Sequence, residues 1–241
     1  MLIRVLFIIF LLLGAKGVQA DCVTGTVPAP VIISISVDAN GDIVICWDPV
    51  VDPNLAGYNI WTVNNTPANQ QVGGPLAPGT NCFTYPAAAN NSGSQCVQIL
   101  VEAFDNCPPP GPYTSGIFPG GFVCTTYLEA NLDPCSSSIA LKWNNNNLFT
   151  NPRYQIFKYT NGGPAVLQGT TFDTTFSSFG IVAGDSINYY VVATDNGGLG
   201  PTTSRSNIDT PNIDGVLNMP TFNHLNYATV VDSQQVDLQF T

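Results

Sequence analysis

Apolar residues in this chain fall in short runs, alternate with polar neighbours, and are cut by clusters of Gly, Pro, Asn and Asp. Past the first twenty residues no long stretch repeats apolar positions at i, i+3, i+4 and i+7, so helices are not expected. Alternation with a period of two predicts strands instead. Val31 to Val37 (VIISISV) is such a run. Asp38-Ala-Asn-Gly-Asp42 follows it as a hairpin turn, because Asn-Gly supplies the positive φ that a tight turn requires. Ile43 to Trp47 (IVICW) is the return strand, with Ile43, Ile45 and Trp47 on one face.

The strands recur. Ile43-Val-Ile-Cys-Trp47 is echoed by Ile139-Ala-Leu-Lys-Trp143, and the two tryptophans stand 96 residues apart. Gly57-Tyr-Asn-Ile-Trp61 is echoed by Arg153-Tyr-Gln-Ile-Phe157, and Tyr58 and Tyr154 are again 96 residues apart. Val101-Glu-Ala-Phe-Asp-Asn106 is echoed by Val191-Val-Ala-Thr-Asp-Asn196, and each copy runs on into Tyr113-Thr-Ser or Thr202-Thr-Ser. Three echoes in one order define a repeat of about 95 residues, the size of an Ig-like sandwich of roughly 100 residues and seven strands. Trp47, Tyr58, Trp143 and Tyr154 are therefore expected as core anchors. A further pair of runs, His224 to Val231 and Val236 to Phe240, reads as the first two strands of another copy. Phe240 stands 97 residues beyond Trp143, in the tryptophan's place. The alternative is a hairpin that packs on the second copy.

The first twenty residues read differently. Arg4 precedes the apolar run Val5 to Leu13, and the segment then turns small and polar toward Val18-Gln19-Ala20. That order is a secretory signal peptide, too short in its apolar part to span a bilayer. Residues 21–241 keep all 16 acidic residues but only Lys142, Arg153, Lys158 and Arg205 as cations, a formal charge of −12. Nucleic acid and anionic membrane need clustered Lys and Arg, so neither is an expected partner. No membrane insertion is expected after cleavage.

At this point the chain resembles a known family. A strand ending in Trp, then Gly-Tyr-x-Ile-aromatic, then a Val-rich strand into Ala-x-Asp-Asn, looks like fibronectin type III. It is similar in particular to modules in secreted surface proteins of gliding bacteria. The resemblance implies an all-β chain of tandem Ig-like, fibronectin type III β-sandwiches with about seven antiparallel strands each. With residues 1–20 as signal peptide, residues 28–121 and 122–208 are then two modules, and 209–241 a linker with the opening strands of a truncated third.

Seven cysteines, none spaced as C-x-x-C, argue for disulfides in an exported chain rather than zinc or thioredoxin chemistry. In a fibronectin-like sheet the strands of Cys46 and Cys82 are neighbours, which brings these residues close enough to bridge. Cys107 ends the first module and Cys135 opens the second, so a bridge between them would fix the angle between modules. Cys22, Cys96 and Cys124 are left without an assigned partner.

Trp61 shares a strand face with Asn59, opposite Tyr58 and Ile60. It packs at an edge or joins Tyr85 or Tyr113 in an aromatic patch. Glu102 faces away from Val101 and Ala103 and aligns with Val192. Asp38 to Asp42 lacks the Gly and Glu positions of a calcium loop and reads as a turn, although acidic loops at a junction leave calcium open. The only histidine is His224, and the only glutamates are Glu102 and Glu129. No catalytic residues, cofactor or metal site are therefore expected. Two readings remain: a non-catalytic extracellular array for adhesion or presentation, binding a protein or glycan; and a linker or carbohydrate-binding region of a secreted hydrolase.

Overall fold

The computed structural model describes residues 27–63, 69–107, 114–115, 122–133, 138–146, 149–182, 184–195 and 202–213, with the backbone alone of 225–232 and 235–240. The expected signal peptide, Cys22, Tyr113, Cys135 and His224 lie outside these residues. The chain is all-β, and its strands are mostly antiparallel.

In the first half, β1 (Val31–Val37), β2 (Ile43–Asp48) and β5 (Cys82–Tyr85) pair in that order. A second sheet holds β4 (Gln70–Leu76), β3 (Leu55–Thr62), β6 (Gln98–Asp105) and β7 (Val123–Cys124), in the order β4-β3-β6-β7. Alternation decides the inner faces. Ile35 and Val37, then Ile43, Ile45 and Trp47, meet Tyr58, Ile60, Ile99, Val101 and Ala103 in one buried cluster. The predicted β1–β2 turn forms as expected. Gly41 takes a φ of +85°, and the Asp38 carboxylate accepts the backbone N–H groups of Asn40 and Asp42. At Gly57 a side chain is excluded, because a Cβ would stand 2.0 Å from the carbonyl oxygen of Leu76 on β4.

The second half repeats the plan. β8 (Leu128–Asp133), β9 (Ser138–Trp143) and β12 (Thr175–Ser178) form one sheet. β11 (Val166–Thr171), β10 (Arg153–Thr160), β13 (Ile187–Asp195) and β14 (Thr202–Arg205) pair in that order. Their inner faces enclose a second core of Leu128, Ile139, Leu141, Trp143, Tyr154, Ile156, Tyr189, Val191 and Ala193. The echoes read from sequence occupy matching register: Tyr58 lies opposite Ala103, and Tyr154 lies opposite Ala193.

The division between the units falls later than Gly121. Val123 and Cys124 pair with Ile99 and Gln98 of β6, and Val123 belongs to the first core. At the other end, Asp209 bridges Tyr189, and Ile213 packs on the second core. The backbone of β15 (Leu225–Asp232) and β16 (Gln235–Phe240) forms the expected antiparallel hairpin.

One pairing joins the halves. β14 lies parallel to β1, with Ser34 opposite Thr203, so that β11-β10-β13-β14-β1-β2-β5 make a single seven-stranded sheet. Ser34 points away from the first core and Thr203 away from the second, since their neighbours Ile35 and Ser204 are the buried ones. Both cores therefore lie on the same side of the shared sheet. Its other side is one outward face running across both units.

Candidate functional site: an inter-unit junction and an outward face

The four expected anchors are inside. Trp47, Tyr58 and Tyr154 are fully buried and Trp143 is 3% exposed, so none serves as a surface platform. The cysteine expected beside Trp47 behaves as read. Cys46 and Cys82 lie directly opposite on β2 and β5, with Cα atoms 4.1 Å apart, and form a disulfide on the outward side of the sheet. Cys96 and Cys124, left unassigned in the sequence, are also bonded, with Cα atoms 5.7 Å apart. Cys96 precedes β6 by two residues and Cys124 sits on β7 opposite Gln98, so β-pairing brings them together. Reading Cys124 as part of the second module concealed this pair. Cys107 is disulfide-bonded as well. Its expected partner Cys135 lies outside the described residues.

Trp61 sits half-buried on the outward face of β3. Tyr85 is not its neighbour, because Tyr85 points into the first core and its hydroxyl donates to the carbonyl of Ala89. What Trp61 meets is Glu102. The indole Nε1–H donates to Glu102 Oε2 at 3.0 Å, Asn59 Nδ2 donates to the same oxygen at 3.3 Å, and Gln71 Nε2 donates to Asn59 Oδ1 at 3.1 Å. Glu102 is only 5% exposed. A carboxylate at that depth needs donors, and its donors here are an indole and an amide rather than a cation. Indole, carboxylate and two primary amides in a row offer both a ring and hydroxyl-binding groups.

The matching positions in the second unit carry different chemistry. Phe157 replaces Trp61 and Val192 replaces Glu102. Phe157 stacks on Tyr190 of the neighbouring strand, with centroids 4.8 Å apart and an interplanar angle of 5°. On the far side of that ring lies the Arg205 guanidinium, 4.3 Å from the Tyr190 centroid. Burial pushes the Tyr190 hydroxyl above its ordinary value, helped by nearby Tyr159 and opposed by Arg205. The stack thus runs across β10, β13 and β14 like a row of upright plates.

Arg205 carries the row over the boundary. Its Nη1 donates to the carbonyl of Val37 at 2.8 Å, and its backbone N–H donates to Ser36 Oγ at 3.1 Å. The linker between the units is fastened just as closely. Thr125 is tied to the first unit through both its N–H and its hydroxyl to Val97. Thr126, next in the chain, bonds Ser204 of the second unit at 2.8 Å. Both threonines are fully buried. Asn144 then grips the backbone on either side, accepting from Tyr127 N–H and donating to the Thr125 carbonyl.

The free edge of β8 is also covered. The Asn207 amide accepts from Leu128 N–H and donates to its carbonyl, imitating a neighbouring strand, and Asp209 accepts from Ala130 N–H. Such caps keep a sheet edge from pairing with another chain. Among the described residues no cluster of three His, Cys, Asp or Glu could hold a metal ion. No helix among them is long and apolar enough to cross a membrane. Disulfides form in oxidising compartments, so the Cys46–Cys82 and Cys96–Cys124 bonds are consistent with a secreted or extracellular protein.

No protein-family model matches the chain. A search of curated proteins likewise finds no match.

Proposed function

We propose that this chain is a non-catalytic extracellular array of two fibronectin type III-like β-sandwiches, serving adhesion or presentation at a cell surface. The strand orders support the family-level reading: each unit pairs three strands against four, with matched Trp–Tyr cores. The single observation that carries the functional reading is the β1–β14 pairing. A spacer needs its units held in a fixed relation, and this junction shares one sheet between them. An enzyme would need a lined cleft instead, and Glu102, the only buried glutamate among the described residues, is occupied by Trp61 and Asn59.

The test has two parts. Residual dipolar couplings on residues 21–241 are expected to fit one alignment tensor for both units; two independent tensors would remove the spacer reading. Turnover of glycoside, ester or peptide substrates by the same protein would remove the non-catalytic one.

A second reading has its own support. The Trp61–Glu102–Asn59–Gln71 row is the kind of surface that takes a saccharide, which fits a carbohydrate-binding accessory region of a secreted hydrolase. A glycan array probed with wild type and Trp61→Ala distinguishes the two. Binding that depends on Trp61 favours the accessory role, and absence of binding leaves Trp61 as packing.

A further inference from the structure

The polarity of the junction strands has a mechanical consequence. β1 runs from Val31 to Val37 and then enters the first unit. β14 runs from Thr202 to Arg205 at the end of the second. Because the two are parallel neighbours, the Val31 end of β1 and the Arg205 end of β14 lie at opposite ends of the pair. Tension along the chain pulls these two ends apart along the strand axis. The contacts between the strands are then loaded together, in shear. An antiparallel pair would put both pulled ends at the same side and open one bond at a time.

We propose that the β1–β14 pair is a mechanical clamp, through which tension passes directly from β1 to β14. Everything between Val37 and Thr202, which includes most of both cores and the buried Thr125–Thr126 linker, is a loop closed by the clamp. That loop carries no load while the clamp holds. Arg205 is the principal fastener, because it contributes a backbone bond to Ser36, a side-chain bond to Val37 and the stack on Tyr190. The stack spreads its load to Phe157 on β10. Asn207 and Asp209 lie between the clamp and the C-terminal end, so their contacts with β8 are loaded before it. The proposal rests on strand polarity and these contacts alone. It stands or falls separately from the identity of any partner.

Single-molecule pulling of residues 21–241 from both ends under constant load tests it. Opening the clamp unravels no core and gives a short extension step. Unfolding a unit gives a long one, reduced by the disulfide-closed loops. The expected record has the short step ahead of any long one in every trace. Its lifetime is expected to shorten by about tenfold in Arg205→Ala, because forced opening follows the barrier that these bonds raise. Arg205→Lys, which keeps the charge but loses the planar stack, is expected to fall between. Denaturant unfolding followed by tryptophan fluorescence should leave both cores unchanged in the two variants. A long step that precedes the short one in wild type would overturn the proposal, as would equal lifetimes in wild type and both variants.

Discussion

Trp47 meets Tyr58 edge-on, with ring centroids 5.3 Å apart and an interplanar angle of 60°. Trp143 meets Tyr154 at 5.3 Å and 61° in the other unit. Two segments 96 residues apart thus build the same aromatic joint between facing sheets. Edge-to-face pairs of this kind contribute about 0.5–1.5 kcal/mol beyond the area they bury. Both joints share a flaw, since neither buried indole N–H finds a well-formed acceptor; that of Trp143 comes only near enough to the Tyr154 hydroxyl to oppose the rise in its pKa.

That flaw sets the first prediction. Trp47→Ala and Trp143→Ala are each expected to cost about 3–5 kcal/mol, the range for emptying a large aromatic site. Trp→Phe at either position should cost clearly less, because it removes the orphaned donor along with part of the ring. Denaturant titration of each variant measures the difference. Equal losses for Phe and Ala would show that the N–H carries no penalty.

The described disulfides both belong to the first unit. They close loops of 36 and 28 residues, worth about 4 kcal/mol each on the chain-entropy account. Cys46→Ser with Cys82→Ser is therefore expected to lower the melting transition of the first core and to leave the second in place. Calorimetry of the double variant should show one transition moved and one unmoved.

Tyr154 and Tyr189, both in the second core, have hydroxyls held above the ordinary value of 10.0 chiefly by burial. For Tyr189 the Ser178 hydroxyl opposes this. A raised folded-state value means that the unfolded chain loses these protons first as pH rises. The second core should therefore keep its full stability below pH 10 and lose it progressively above. Tyr189→Phe should flatten that alkaline decline, and unfolding at a series of pH values reads it directly.

Trp61 and Glu102 make a pair that can be separated cleanly. Trp61→Phe keeps a ring but removes the indole donor, leaving a 5%-exposed carboxylate with Asn59 as its remaining donor. The expected cost is about 1–3 kcal/mol. Adding Glu102→Gln to that variant should recover part of it, because the buried group is then neutral. A double-mutant cycle that shows no coupling would mean that the two side chains act independently.

Much of this architecture was legible in the chain. Strand alternation placed Trp47, Trp143, Tyr58 and Tyr154 inside, because a period of two commits every second side chain to one face. The Asn-Gly turn fixed the β1–β2 hairpin locally, and adjacency of two strands brought Cys46 to Cys82. Glu102 was also recognised as outward, yet its partner was not, because Trp61 and Glu102 lie on strands 41 residues apart whose register only pairing sets. Cys96 with Cys124 escaped for a related reason: β7 is two residues long and carries almost no pattern of its own.

What the sequence determined by itself was therefore the content of each unit, meaning its strands, its inner faces, its core aromatics and its repeat. The tertiary structure decided how the units are joined. Ser34 and Thr203 stand 169 residues apart, and no periodicity or turn signal links them. Their pairing depends on two folded sheets presenting free edges of matching direction. Arg205 looks like any polar residue on a short strand until Tyr190 of β13 and Ser36 and Val37 of β1 have converged around it.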